Sequence, residues 1–364
     1  MNSVNLDAKR YELVDSTTAL GRLASDWRRL QGSSQIWVSP YYCWEFLEAA
    51  SKSRSTEAVV MSRAGKVVGI WPFHRISLGL GLPIAGCLND YHGPLLAPDE
   101  EFPTRDFLAA AKLERFDFHS HFPIQKSLES FGYHRKLKRS WVDLRSGFIA
   151  YFEQLRKHSY RVCRQPQKTR KIERELGPIR LDFQSTNPAD LEWLLAMKRE
   201  KYQRTGCPDY FAPAWSVKLI QEIFQQRTSA FRGVCTILWA GQRRIAGHFG
   251  MQANGVLHYW LPVFSCPHAR YSPGLELFLR IIAEHETQGF QTVDFGYGTE
   301  DFKQTLATDW GEVLVGSLDQ NPARFHWNSW LENARITIKN SSYRELARDL
   351  ARTLLPNLGK PKIR

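Results

Sequence analysis

The alternation of apolar and polar residues changes period several times along the chain, and each change marks an element. From Ser16 to Leu30 apolar side chains recur at helical spacing (Leu20, Leu23, Trp27, Leu30), and Pro40 to Ala50 reads as a second helix. Glu57 to Ile76 then alternates as a hairpin does, with strands Ala58–Met61 and Val67–Trp71 about an Ala64-Gly65 turn. A glycine-rich stretch (Gly79, Gly81, Gly86) leads into Asn89-Asp90-Tyr91-His92-Gly93. A helix over Phe107–Glu114 and a short strand Phe116-Asp117-Phe118 follow.

The second half repeats this order. Strands Cys235–Trp239 and Arg244–Met251 flank Ala240-Gly241, and Asn254-Gly255 turns into a third strand, Val256–Val263. Ser272 and Pro273 open a helix as N-cap and first helical residue, carried by Leu275, Phe278, Leu279 and Ile282 to a stop at Gly289. The strand Gln291–Phe295 completes the copy. Matching hairpins, and Phe116-Asp117-Phe118 against Val293-Asp294-Phe295, predict a duplicated α+β domain: an antiparallel meander, a helix and a strand, twice. The expected boundaries are 10–145 and 146–320. A tail over 321–364 follows, with a capping box at Ser342–Glu345 and a Leu346, Leu350, Leu354 stripe. Such a basic amphipathic helix docks on its own domain or touches a membrane surface.

Between the copies lies a basic helical stretch, Phe152 to Glu175, that Pro166 is expected to kink or split. Its eight cations (Arg156, Lys157, Arg161, Arg164, Lys168, Arg170, Lys171, Arg174) face only Glu153, Glu173 and Glu175. They form a solvated face, a phosphate clamp or a nucleic-acid surface; the absence of interleaved aromatics weighs against the last. Helices over Leu191–Tyr202 and Trp215–Gln226 precede the second meander.

Candidate chemistry gathers in the second copy. A glycine in a helix's first turn lets an anion approach free N–H groups on the favourable end of the dipole. Tyr271-Ser272-Pro273-Gly274-Leu275 is therefore a candidate diphosphate seat, or an ordinary capped start. Pro262 cannot pair normally inside a sheet and marks a bulge, an edge or a splayed end. Asp294 ends a strand beside two glycines, where it either acts on an acceptor or holds its loop by an Asx turn. Tyr297 is a candidate acid, and His258 and His248 lie on strands.

The run from Ser272-Pro273-Gly274 through Gly289-Phe290 and Asp294 to Phe302-Lys303 resembles the GNAT-type acyltransferases linked to bacterial polysaccharide synthesis, distant relatives of the FemAB peptidyltransferases. The resemblance is best over about residues 150–310. It departs in the phosphate loop, where only Gly274 is in place, and at Phe302, where the family has tyrosine. It implies a tandem GNAT-like fold with mixed, mostly antiparallel sheets. It also implies acetyl-CoA or another acyl-CoA as co-substrate, held by Tyr271 to Leu275 and by a strand whose backbone donor at Leu261 or Val263 polarises the thioester. Asp294, Tyr297 and His258 would then carry the chemistry. Asn89, Asp90, Tyr91 and His92 of the first copy, which is not expected to hold CoA, would bind the acceptor together with Phe302 and Lys303. The acceptor implied is an amine or hydroxyl of a sugar or an exopolysaccharide or cell-envelope precursor, with polysaccharide-synthesis proteins as possible partners. A tRNA-dependent peptidyltransferase and a non-catalytic scaffold are the alternatives.

Composition narrows this further. At 364 residues the chain is long enough for two domains, and its net charge of +12 favours acidic partners such as phosphate-bearing substrates. Six scattered cysteines show no zinc spacing, so reduced thiols and no metal are expected. The opening residues lack an apolar run and no stretch is long enough to span a bilayer, so a cytoplasmic protein is expected.

Overall fold

The structure is a computed structural model describing residues 8–123, 133–321 and 323–327; the helix expected over 342–354 lies outside the described residues. In chain order the elements are β1 (Arg10–Val14), α1 (Thr17–Gly21), α2 (Ala24–Gln31), α3 (Trp44–Ser53), β2 (Glu57–Arg63), β3 (Lys66–Ser77), β4 (Leu80–Pro83), β5 (Leu95–Leu96), α4 (Thr104–Ala110), β6 (Arg115–His121) and β7 (Tyr133–Asp143). There follow α5 (Gly147–His158), α6 (Tyr160–Cys163), α7 (Gln165–Leu176), β8 (Ile179–Asp182), α8 (Pro188–Thr205), α9 (Ala214–Gln225), β9 (Phe231–Ala240), β10 (Arg243–Ala253) and β11 (Val256–Phe264). The last are α10 (Pro273–Ala283), α11 (His285–Gln288), β12 (Thr292–Tyr297), α12 (Asp301–Leu306) and β13 (Asp309–Asp319).

The chain divides into two compact units, residues 1–34, 54–137 and 313–364, and residues 35–53 with 138–312. This differs from a cut near residue 145, because residues 35–53 leave the N-terminal half. The cause is apolar packing: α3 buries Phe46, Leu47, Ala49 and Ala50, α9 buries Leu219, Ile220 and Ile223, and the two helices pack together.

In the first unit the strands run β1-β2-β3-β4-β6, followed by residues 313–319 of β13, with β5 on β3. Its core is aromatic: Trp71 stacks on Phe107 at 4.0 Å, with Phe73, Phe102 and Phe116 around them. In the second unit the order is residues 138–143 of β7, then β12-β11-β10-β9-β8, antiparallel throughout except for β11 with β12. The two units share one internal plan, since β2-β3-β4-α4-β6 and β9-β10-β11-α10-β12 each end in a parallel pair joined through a helix.

Local departures have local reasons. The helix expected over Ser16–Leu30 is two helices, α1 ending at Gly21 and α2 restarting at Ala24. The basic stretch is three, with breaks at Ser159 and before Gln165. Pro166 sits in the first turn of α7, where a missing N–H leaves no hydrogen bond unmade.

Candidate active site

The second unit contains a place where its sheet opens. β11 pairs with β10 along its length but with β12 at three positions only: Val256 with Thr292, Leu257 with Val293 and His258 with Asp294. Beyond that pair the two strands part. The pairing of β11 with β10 also steps there: Met251 faces His258 and Phe249 faces Leu261, so Tyr259 and Trp260 oppose Gly250 alone. Two residues against one is a β-bulge, which leaves a backbone group outside the ladder. Gly250 makes room for it, since a Cβ there would lie 2.0 Å from the His258 carbonyl oxygen. The opening thus begins at the bulge, upstream of Pro262, which pairs with His248. Leu261 and Val263 stand opposite Phe249 and Gly247.

A cavity of about 330 Å³, within the range of ligand sites, lies against the part of β11 beyond its last pairing with β12. β11 supplies Tyr259, Pro262 and Val263; the start of α10 supplies Ser272, Pro273, Gly274 and Leu275; α12 supplies Phe302 and Leu306. Gly274 does not take a positive φ, and a Cβ there would meet only Phe264 Cδ1 at 3.6 Å. No packing within the protein requires glycine at this point. What a side chain would take is room in the cavity.

Ser272 occupies the N-cap position, but not as the sequence suggests. Its backbone is left-handed (φ 53°, ψ 52°), a conformation that favours glycine, and its hydroxyl makes no capping bond. The hydroxyl instead accepts a hydrogen bond from Lys168 Nζ at 2.6 Å. The N–H groups of Leu275 and Glu276 turn back to the Ser272 carbonyl, at 3.1 and 3.2 Å. Pro273 has none, so Gly274 offers the N–H that has no acceptor within the helix.

Cations surround this start. α7 docks on α10 through Gln165 Nε2 and Thr169 Oγ1, which donate to Glu276 Oε2 at 2.9 and 2.6 Å, and this delivers Lys168. Burial, then Arg164 and Arg161, holds the Lys168 pKa below its ordinary value. Arg161, Lys201 and Arg204 line the same cavity, with Arg204 lying against the Cys266 thiol. Glu276, a buried acid in the first turn of α10, is paired with Arg280 at 2.7 Å. The basic stretch thus reaches the start of α10 and the cavity beside it through Lys168 and Arg161.

At the parting of the strands sits a buried polar cluster. Asp294 Oδ1 accepts from the Gly296 N–H at 2.7 Å, the Asx-type turn, and lies 3.7 Å from His258 Nδ1. Its other oxygen is 3.6 Å from Arg139 Nη1, and that guanidinium covers the Trp141 ring at 4.4 Å. Tyr41 Oη is 3.1 Å from His258 Nε2. The turn-holding reading of Asp294 is the one this bond displays. Arg139 is a member that the sequence did not single out; Tyr41 belongs to the aromatic entry Tyr41-Tyr42-Cys43-Trp44 of the helix expected over Pro40–Ala50, to which no site role was given.

Other expected site residues fall elsewhere. The Tyr271 ring is buried, and its hydroxyl donates to Glu175 Oε2 at 2.6 Å, so only its backbone remains at the turn. Lys303 is buried and tied to its own loop: Nζ donates to the Tyr297 carbonyl at 2.5 Å and pairs with Glu300 at 2.9 Å. Tyr297 is half-buried at the end of β12, and Phe302 packs on Phe295 at the cavity wall. His248 is buried and stacked on Tyr259 at 4.4 Å, and burial pushes its pKa down to about 3, so it stays neutral.

The first unit is built differently at the matching place. Its parallel pair, β4 with β6, ends after Gly81 with Phe116, and His92 then bridges His121 directly. Asn89, Tyr91 and His92 are buried there. Asn89 Nδ2 donates to the Ile84 carbonyl, and Ser120 Oγ donates to the Asn89 carbonyl. Burial holds the pKa of His92 well below its ordinary value and lowers that of His121 to about 4. Asp90 is the half-buried member of this loop.

A parallel pair that parts beside a bulged strand, with a helix start at its mouth, defines the class: the fold is the GNAT fold, α+β with a mixed sheet. Residues 163–304 match the family model described as an acetyltransferase (GNAT) domain. FemX is similar in structure, with a TM-score of 0.55 at 8% identity, covering 87% of this chain and 100% of that one. So is the C-terminal domain (DUF2156) of a putative lysylphosphatidylglycerol synthetase from Agrobacterium fabrum, with a TM-score of 0.51 at 13% identity, covering 87% and 97%. A conserved protein of unknown function from Bacteroides thetaiotaomicron aligns with a TM-score of 0.52 at 11% identity, covering 85% and 100%. At these identities the fold is what is shared. No curated protein matches the chain in sequence.

Proposed function

We propose that the second unit transfers an acyl group from acyl-CoA, acetyl-CoA in the simplest case, to an amine or hydroxyl of a sugar or cell-envelope precursor. The observation that carries this reading is the cavity against β11 beyond its last pairing with β12, with Gly274 in its lining. The CoA diphosphate would take the Gly274 N–H and the cations Lys168, Arg161 and Arg204, where helix dipole and charge act together. The pantetheine arm would lie along β11 past Val263. The thioester oxygen would meet the backbone donor that the bulge at Tyr259–Trp260 leaves outside the ladder, as a preorganised dipole aimed at developing charge. His258 and Asp294 would handle the acceptor's proton, and a tyrosine such as Tyr297 the departing thiolate.

A second reading is a tRNA-dependent peptidyltransferase, favoured by the basic helices α5 to α7 that bring Arg161 to the cavity. Calorimetric titration separates the two. Saturable binding of acetyl-CoA supports acyl transfer, tight binding of tRNA without acetyl-CoA binding supports the peptidyltransferase, and binding of neither leaves a scaffold role.

A further inference from the structure

The cavity gathers more positive charge than a diphosphate uses. Arg161, Lys201 and Arg204 line it, and Lys168 stands at its Ser272 edge. Among the described residues none of these cations pairs with an acid, whereas cations beside them do: Arg199 with Asp209 at 3.4 Å, and Lys171 and Arg174 with Glu175 at 3.9 and 3.2 Å. We propose that Lys201, with Arg204, forms a subsite for a phosphate monoester, the 3′-phosphate that CoA carries on its ribose, so that the protein distinguishes CoA from dephospho-CoA; this rests on the acyl-transfer reading above.

α8 sets the pair up. Lys201 and Arg204 lie three residues apart on this helix, so their side chains leave neighbouring positions on its surface. Leu191, Leu194, Leu195 and Tyr202 are buried and hold the helix from its other side. Arg199 is tied down by Asp209 and by the Phe211 carbonyl, to which it donates at 2.7 Å. Glu200 stands four residues before Arg204, the spacing and order that favour an ion pair within a helix. That pair is not made. Arg204 lies instead against the Cys266 thiol in the cavity wall, which leaves its charge unanswered by any described carboxylate.

The chemistry of the two phosphate groups separates their sites. A diphosphate bridge carries one negative charge on each phosphorus, and the Gly274 N–H, Lys168 and Arg161 answer it, with Arg204 shared. A terminal monoester carries about −1.5 to −2 at neutral pH and has three acceptor oxygens. An ammonium and a guanidinium side by side supply both the charge and the donors for it. Glu200 also lines the cavity and offsets part of this attraction. Lys201 and Arg204 are exposed, so salt screens the contact and its effect is modest. An acceptor carrying a phosphate monoester would offer the same chemistry, and the experiment separates the two sources.

The test is calorimetric titration of the full chain with CoA and with dephospho-CoA, which lacks only the 3′-phosphate. CoA should bind the wild type roughly tenfold tighter. In Lys201→Ala the two affinities should come within about twofold of each other, with that for dephospho-CoA unchanged, a pattern that a folding defect would not give. Lys201→Arg should restore the difference, and Glu200→Gln should widen it. Equal binding of CoA and dephospho-CoA by the wild type, or a difference that survives Lys201→Ala, would overturn the subsite while leaving acyl transfer standing. Equal binding of the two, together with an affinity for glucosamine 6-phosphate but not glucosamine that depends on Lys201, would give the monoester to the acceptor and overturn the cofactor assignment. A wild type that binds neither CoA nor dephospho-CoA would remove the acyl-transfer reading and the subsite with it.

Discussion

His258 and Asp294 are register partners in adjacent parallel strands, the last pair before β11 and β12 separate, and their side chains approach to 3.7 Å. One pair of residues thus marks both the end of a ladder and the start of a site. Up to that point the backbone is satisfied by its neighbour; past it, β11 has β10 on one side and a cavity on the other.

Gly274→Trp should block the cavity without disturbing the fold. The position takes no positive φ, and its only near neighbour is Phe264 at 3.6 Å. Acetyl-CoA affinity should fall by about 2 kcal/mol or more, roughly thirtyfold, with the melting temperature unchanged. A matching loss of melting temperature would show that the glycine serves packing instead.

Lys168→Ala should weaken acetyl-CoA binding by about 1–2 kcal/mol, the scale of one charge-assisted hydrogen bond. The pH dependence has a definite sign. Burial, Arg164 and Arg161 lower the Lys168 pKa, so its ammonium is lost sooner on the alkaline side than that of an ordinary lysine. Affinity should be full below that pKa and decline as pH rises through it, and titrations at rising pH should find this decline absent from Lys168→Ala.

Acid should destabilise the protein through its buried neutral histidines. His248 has its pKa pushed down to about 3, and His74 and His121 are at about 4, each chiefly by burial. Unfolding restores an ordinary pKa of about 6.5, so the unfolded chain binds more protons and stability rises with pH across this window. Stability is complete above about pH 6.5 and is lost as pH falls below it, by roughly 2 kcal/mol for His248 at pH 5. Thermal melts at pH 7.5 and 5 should show this fall, and His248→Phe should make it shallower.

Asp294→Asn can keep the bond from the Gly296 N–H, because the amide oxygen accepts as the carboxylate does. It removes the charge facing His258 and Arg139. Turnover should fall about 100-fold or more with acetyl-CoA affinity nearly unchanged. Equal losses in turnover, affinity and melting temperature would assign Asp294 to the turn alone.

Much of this was legible in local pattern. The hairpins about Ala64-Gly65 and Ala240-Gly241, the helix opening at Ser272-Pro273 and the strand ending at Asp294 are each specified by residues close in sequence. Six of the described strands were not legible: β1, β4, β5, β7, β8 and β13. β7 carries Arg135, Lys136, Lys138 and Arg139 among its residues, so its charges hide the alternation. β1 and β13 give similarly little periodic signal over 5 and 11 residues. The site was half visible for the same reason. Gly274 and Asp294 announce themselves by glycine and strand-end context, whereas Tyr41 and His258 are 217 residues apart and meet because the turn at residues 40–42 lies against β10 and β11. Ser272 was placed correctly as N-cap, yet its hydroxyl answers Lys168, a partner that arrives on another helix.

The most direct measurement is a crystal structure of the protein soaked with CoA. The account predicts the diphosphate within hydrogen-bond distance of the Gly274 N–H and the Lys168 ammonium, with the pantetheine arm passing Val263 into the gap between β11 and β12. Density for CoA elsewhere, or a gap that stays closed to it at saturating concentration, would contradict the account.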